Sequence, residues 1–92
     1  MENKLNYEEL YKLINQTNEP ILGVDIFSIS DGKVENIDII DLSKLTERIK
    51  IWVKLVEETK MELLKILNNY SNKEKFKYEI VFLSKEMFED LT

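Results

Sequence analysis

Residues 21–40 read ILGVDIFSISDGKVENIDII and predict a β-hairpin. Two runs rich in Ile, Val and Phe flank Asp31-Gly32, a dipeptide typical of a two-residue type I′ turn. Such a turn fixes the pairing of the two strands from its first pair, in which Ser30 faces Lys33. In this register the apolar face of the hairpin consists of Val24, Ile26, Ile37 and Ile39.

Flanking segments predict three further elements. Apolar residues at helical spacing predict an amphipathic helix over 6–17. Alternation of apolar and polar residues over 76–82 predicts a third strand, half-buried. Ser84 can cap a short last helix, with Met87, Phe88 and Leu91 facing inward.

The residues between the second and third strands carry a long apolar stripe. Its members are Leu42, Leu45, Ile49, Trp52, Val56, Thr59, Leu63, Ile66 and Tyr70, at alternating spacings of three and four. No Pro or Gly interrupts residues 43–71. The pattern predicts one helix about 40 Å long, at 1.5 Å per residue.

These elements predict a single α+β domain over residues 1–92, in the order α-β-β-α-β-α. We expect a three-stranded antiparallel sheet in the order 2-1-3, packed on the one long helix. The central first strand is nearly apolar on both faces, which is typical of a strand covered on both sides. The face opposite the long helix carries Phe27, Ile29, Val34 and Ile40, and either the first helix or a partner covers it.

The long helix also predicts self-association. A typical strand spans only about 20–27 Å, so a helix of 40 Å overhangs the sheet. Further apolar residues widen its stripe, and homodimers are the commonest oligomers. We therefore expect a homodimer through this helix, although packing on the chain's own sheet alone would also explain the stripe. The expected interface consists of Trp52, Val56, Thr59, Leu63 and Ile66.

Composition excludes several kinds of chemistry. The chain has no His and no Cys, which excludes Ser–His, Cys–His and the usual zinc sites. No motif specifies a metal or an organic cofactor, so we expect none. No segment resembles a signal peptide or reaches the length of a membrane span, so we expect a cytoplasmic protein without membrane contact.

Charge is distributed unevenly along the chain. The net charge is −5, and residues 1–41 hold nine acids but only three lysines. Residues 42–92 hold nine acids and ten basic residues. An acidic half repels the phosphates of nucleic acid, so we expect no direct nucleic-acid binding. It favours a protein partner with a basic surface, or it simply keeps the chain soluble.

The predicted register places Asp25 directly opposite Asp38. Like charges that face each other across a ladder are destabilising. A divalent cation, a basic partner residue, Lys77 of the third strand or water would offset the repulsion. The first explanation predicts a minimal metal-dependent enzyme that uses the two aspartates.

The favoured hypothesis is a small, acidic, non-enzymatic interaction module. Such a protein acts as a regulator or inhibitor, a class that includes immunity proteins and inhibitors of host defence. The expected partner-binding residues are Asp25, Asp31, Glu35 and Asp38. The alternative is the metal-dependent enzyme.

Overall fold

The computed structural model describes residues 4–91 and has the predicted α+β class. In chain order the elements are α1 (Tyr7–Gln16), β1 (Ile21–Ser30), β2 (Lys33–Asp41), α2 (Lys44–Arg48), α3 (Trp52–Asn68), a 3₁₀ turn (Lys73–Lys75), β3 (Lys77–Phe82) and α4 (Lys85–Leu91). The three strands form an antiparallel sheet in the order β2-β1-β3, as the sequence predicts.

The hairpin turn is of the predicted type. Asp31 has φ 52° and Gly32 has φ 76°, and a type I′ turn requires positive φ at both positions. Pairing starts as expected, with Ser30 opposite Lys33. It then shifts by one residue, because Ile37 has no partner on β1 and forms a β-bulge.

The bulge exchanges the faces of the residues that follow it. Ile40, expected on the far side, faces Val24 and is only 7% exposed. Ile39, expected in the core, lies opposite Asp25 and is 62% exposed. The predicted apolar face is therefore wrong for its second half, because a slip of one residue moves every side chain to the other face.

The segment predicted as one helix contains a break. Ile49 and Ile51 both have extended backbone, which separates the five-residue α2 from the 17-residue α3. Their branched side chains favour extended backbone, and Ile49 packs against the cluster of buried residues formed by Leu55, Leu83 and Phe88. At 1.5 Å per residue α3 is about 25 Å long, so it matches the sheet and does not overhang it.

The core lies between the sheet and the helices on one side of it. Its buried residues include Leu10 and Ile14 from α1, with Val24 and Ile26 from β1. From α3 the fully buried residues are Leu55, Thr59, Leu63 and Leu67, spaced by four. Leu55 and Leu67 lie outside the predicted stripe, because the break at 49–51 lets α3 rotate relative to the preceding residues.

Thr59 joins α3 to the start of β1. Its hydroxyl accepts a hydrogen bond from the Ile21 backbone N–H at 3.0 Å and donates one to the Leu55 carbonyl at 2.9 Å. Both bonds are buried, where an unpaired backbone N–H is costly. The one polar residue of the predicted stripe thus positions a strand within the chain.

Candidate functional site

One side of the sheet is covered by helices, and the other side has none among residues 4–91. We call this second side the outer face. Paired residues of an antiparallel sheet share a face, so the strand register assigns its members. Its side chains come from Asp25, Phe27 and Ile29 on β1, Val34, Asn36, Ile39 and Asp41 on β2, and Lys77, Glu79 and Val81 on β3.

Aliphatic side chains are exposed across the outer face. Ile39 is the most exposed, and Val81 on the opposite strand is 44% exposed. Ile29 and Val34 face each other near the turn and are also exposed. Isolated apolar residues on a surface are ordinary, but a set that shares one open sheet face indicates a contact surface.

Gly23 forms the floor of a shallow depression between Ile39 and Val81. A Cβ atom at this position would overlap the backbone carbonyl oxygen of Ile40, so the close approach of β1 and β2 requires glycine here. The missing side chain leaves a depression of about 170 Å³, which Asp25 and Asp41 also line. An apolar group entering it would contact aliphatic walls with carboxylates beside them.

Lys4 reaches over the outer face from the segment that precedes α1. Leu5 pairs with Tyr78 through two backbone hydrogen bonds of 2.8 Å, which extends the sheet beyond β3. The Lys4 ammonium then lies 3.3 Å from the Glu79 carboxylate and 4.2 Å from the centre of the Phe27 ring. It neutralises Glu79 and covers part of Phe27, while Asp25 stays without an ion pair among residues 4–91.

Asp41 carries a stable negative charge at the end of β2. Its carboxylate accepts a hydrogen bond from the Ser43 backbone N–H at 2.9 Å. This bond, with a smaller contribution from the Lys44 charge, lowers the pKa of Asp41 below its ordinary value. The carboxylate is therefore ionised throughout the physiological pH range.

The predicted pair of Asp25 and Asp38 is not formed. The bulge places Asp38 opposite Ile26, on the helix side of the sheet, while Asp25 lies on the outer face. One Asp38 oxygen accepts a hydrogen bond from the Tyr70 hydroxyl at 2.8 Å. The two carboxylates therefore cannot share one cation, and the expected repulsion between them is absent in this register.

The other two predicted partner-binding acids lie near the turn. Asp31 is at its tip, and Glu35 faces Ser28 on the helix side of the sheet, beyond the helices and exposed. Both line an open groove with Ser28, Ser30 and Lys33. The four predicted acids thus lie along the hairpin but do not share one face.

The predicted dimer residues lie mostly inside the chain. Thr59 and Leu63 are fully buried in the core, so they cannot contact a second copy in this fold. The Trp52 ring packs edge-to-face on Phe88, with 5.4 Å between ring centres. Val56 and Ile66 are half-buried. This arrangement favours the other explanation of the stripe, in which it packs on the chain's own sheet.

The sequence pattern did not identify Ile39, Val81 and Gly23 as candidate site residues. The bulge that exposes Ile39 has no signal in the hairpin pattern. Val81 occupies a polar-side position of the strand alternation, and that position was the available signal for an exposed apolar residue.

Comparison with protein-family models, curated proteins and solved structures finds no match to this chain. In the part of the chain that the structure describes, no three acidic side chains are grouped as a metal site requires. No helix within 4–91 is long and apolar enough to cross a membrane. The geometry of the chain itself is therefore the basis for a functional proposal.

Proposed function

We propose that this chain is a small non-enzymatic protein-interaction module that binds a basic surface of a partner protein through its outer face. The observation that carries the proposal is the sheet face that no helix within residues 4–91 covers, where Ile39 and Val81 are exposed beside Asp25 and Asp41. A module of this kind acts by occupying its partner's surface, as a regulator or an inhibitor does.

The chemistry of the outer face supports a partner that is apolar at its centre and basic around it. Removing an exposed aliphatic side chain from water contributes roughly 1 kcal/mol or more. The neighbouring carboxylates would attract Lys and Arg and accelerate association. The net charge of −5 opposes binding to nucleic acid phosphates.

The size of the outer face supports a transient complex. At strand spacings of about 4.8 Å and 3.3 Å per residue, the face measures roughly 20 Å by 14 Å. Stable complexes bury about 800 Å² on each partner, which exceeds this area. The partner therefore binds transiently, or it also contacts the margin of the sheet.

The alternative of a metal-dependent enzyme has less support. It required Asp25 and Asp38 to converge, and the strand register places them on opposite faces. The interaction module requires no such convergence, because a protein partner contacts a whole face.

Affinity capture with matched variants tests the proposal. The bait is the chain immobilised on a resin, and the sample is a lysate of the cells that express it. Val81→Arg changes the outer face, and Val53→Arg changes an exposed position on α3 that is 65% accessible. We expect a basic protein to be retained by wild type and Val53→Arg, and lost with Val81→Arg. Equal retention by all three baits would contradict the proposal.

A second copy of the chain is the alternative occupant of the outer face. Sedimentation equilibrium of the isolated chain at micromolar concentration tests for a second copy, because the monomer has a mass of 11.0 kDa. We expect the monomer mass. A species of twice that mass that Val81→Arg dissociates would show self-association through this face.

A further inference from the structure

The strand β2 has one edge without a strand partner. In the order β2-β1-β3 it pairs with β1 alone, and among residues 4–91 nothing pairs with its other side. Eight of its nine residues are exposed, with Ile40 as the exception. Alternate N–H and C=O groups along such an edge point to solvent and can pair with another strand. By contrast, Leu5 already occupies part of the far edge of β3.

The same edge carries negative charges that form no ion pair within residues 4–91. Asp31 in the turn, with Glu35, Asp38 and Asp41 on β2, gives four carboxylates against the single Lys33. None of the four forms an ion pair within the described residues. A partner is attracted electrostatically by all four carboxylates only if it brings positive charge to this edge.

The bulge at Ile37 opposes pairing between two copies of β2. Bulges and charged side chains are the features by which natural edges avoid pairing with identical edges. Ile37 divides the edge into two regular runs, 33–36 and 38–41. A short strand can pair with one run, whereas a continuous pairing of two β2 edges must accommodate a bulge on each.

We propose that the free edge of β2 binds an extended segment of the partner as a fourth strand, and that this segment alternates Lys or Arg with aliphatic residues. The proposal rests on the proposed function and names the chemistry of its partner. Backbone hydrogen bonds supply part of the affinity, and side chains on alternate sides supply specificity. On the outer face, the aliphatic residues of the added strand extend the apolar surface of Val34 and Ile39.

Amide hydrogen exchange with a defined peptide tests the proposal. The probe is a capped octapeptide that alternates Lys and Val. Because Ser30 and Lys33 close a two-residue turn, the N–H groups of Val34 and Asn36 point away from β1. We expect saturating peptide to slow exchange of these two amides at least tenfold. The same peptide with Glu in place of Lys should give no protection.

Matched variants separate charge from backbone pairing. Glu35→Lys should raise the Kd of the Lys-Val peptide at least fivefold, and Glu57→Lys on the exposed side of α3 should leave it unchanged. Asn36→Pro removes an outward N–H and should abolish protection. Its melting temperature reports whether it still folds, and if it does not, Glu35→Lys remains the deciding variant.

Three results of the peptide experiments would overturn the edge proposal. These are equal binding of the Glu peptide, protection confined to amides outside β2, and protection that grows with protein concentration in the absence of peptide. The last would make a second copy the occupant. A captured protein that Val81→Arg loses but Glu35→Lys retains would also refute the edge proposal while the proposed function stands. If the Val81→Arg bait retains the same protein as wild type, the proposed function is refuted. The peptide experiment then still decides whether the β2 edge binds a basic strand.

Discussion

The two faces of β1 differ although they belong to one strand. Val24 and Ile26 point toward the helices and are almost completely buried, whereas Asp25, Phe27 and Ile29 point the other way and stay accessible. On the first face α1 and α3 complete a core. On the second face, within residues 4–91, Lys4 lies over the Phe27 ring and no helix covers the sheet. The comparison teaches that a strand apolar on both sides can bury one side in the core and leave the other accessible.

The largest expected effect comes from a charge placed between α3 and the covered face. Leu63 is fully buried, so the carboxylate of Leu63→Asp would have no partner and would cost more than about 4 kcal/mol. We expect loss of the cooperative thermal transition in circular dichroism. Met61→Asp, at a 65% exposed position two residues away, should melt like wild type. A folded Leu63→Asp protein would show that the covered face is assigned to the wrong side of α3.

Two adjacent isoleucines test the assignment of the faces directly. Ile40→Lys should destabilise by about 3 kcal/mol, because Ile40 is buried on the covered face. Ile39→Lys on the outer face should change the free energy of unfolding by less than about 0.5 kcal/mol. Urea denaturation of both variants measures the difference. A larger loss of stability for Ile39→Lys than for Ile40→Lys would indicate the register without the bulge.

Thr59→Val tests how the covered face holds the start of β1. The change keeps the shape of the side chain but leaves the Ile21 N–H buried without an acceptor. We expect a loss of about 1–3 kcal/mol in urea denaturation. Thr59→Ser keeps the hydroxyl and should lose less. Equal stability of Val and Thr at this position would mean that the hydrogen bond contributes nothing.

The smallest expected effect is a pH dependence of the covered face. Burial, followed by the charges of Tyr7, Tyr70 and Glu74, raises the pKa of Tyr78 from its ordinary 10.0 to about 12. The folded chain therefore retains this proton between pH 10 and 12 while the unfolded chain loses it. The contribution of this raised pKa to the free energy of unfolding is fully present below pH 10. It is lost as the pH rises toward 12, because the unfolded chain releases the proton first.

Tyr78→Phe provides the control for this effect. The variant removes a hydroxyl that donates to the Lys73 carbonyl, so it should lose about 1 kcal/mol at neutral pH. Its stability should then fall less steeply between pH 10 and 12 than that of wild type, as measured by urea denaturation at each pH. An identical slope in the two proteins would remove Tyr78 as the cause.

The sequence predicted those features that depend on local chemistry. Asp31-Gly32 specifies its turn through backbone conformation alone, and the strand order follows from which strand is apolar on both sides. The bulge at Ile37 was not predictable in this way. It depends on the Tyr70 hydroxyl meeting Asp38 and on the burial of Ile40, and both contacts form only in the assembled chain.

The same reason explains the errors in the helix and in the candidate site. Ile49 and Ile51 lie in a segment whose apolar spacing is helical, but their backbone is extended. This break accompanies the packing of Leu45, Ile49 and Trp52 against the buried cluster of Leu55, Leu83 and Phe88. The four acids lie along the hairpin because of their sequence positions, but the face on which each one lies depends on the register. The unpaired Ile37, which the sequence pattern did not indicate, places Asp25 and Asp38 on opposite faces of the sheet.

The unpaired Ile37 decides which side chains of β2 reach the outer face. If Ile37 paired with Ile26 instead, every residue from 38 to 41 would shift by one position along β1 and change sides. Asp38 would then lie opposite Asp25, and Ile40 would take the exposed place of Ile39. Deleting Ile37 would not cause this exchange, because residues 38–41 would keep their present partners on β1 and only the bulge would disappear. The same sequence can therefore present either exposed aliphatic side chains or two facing carboxylates on this face, according to whether one residue is left unpaired.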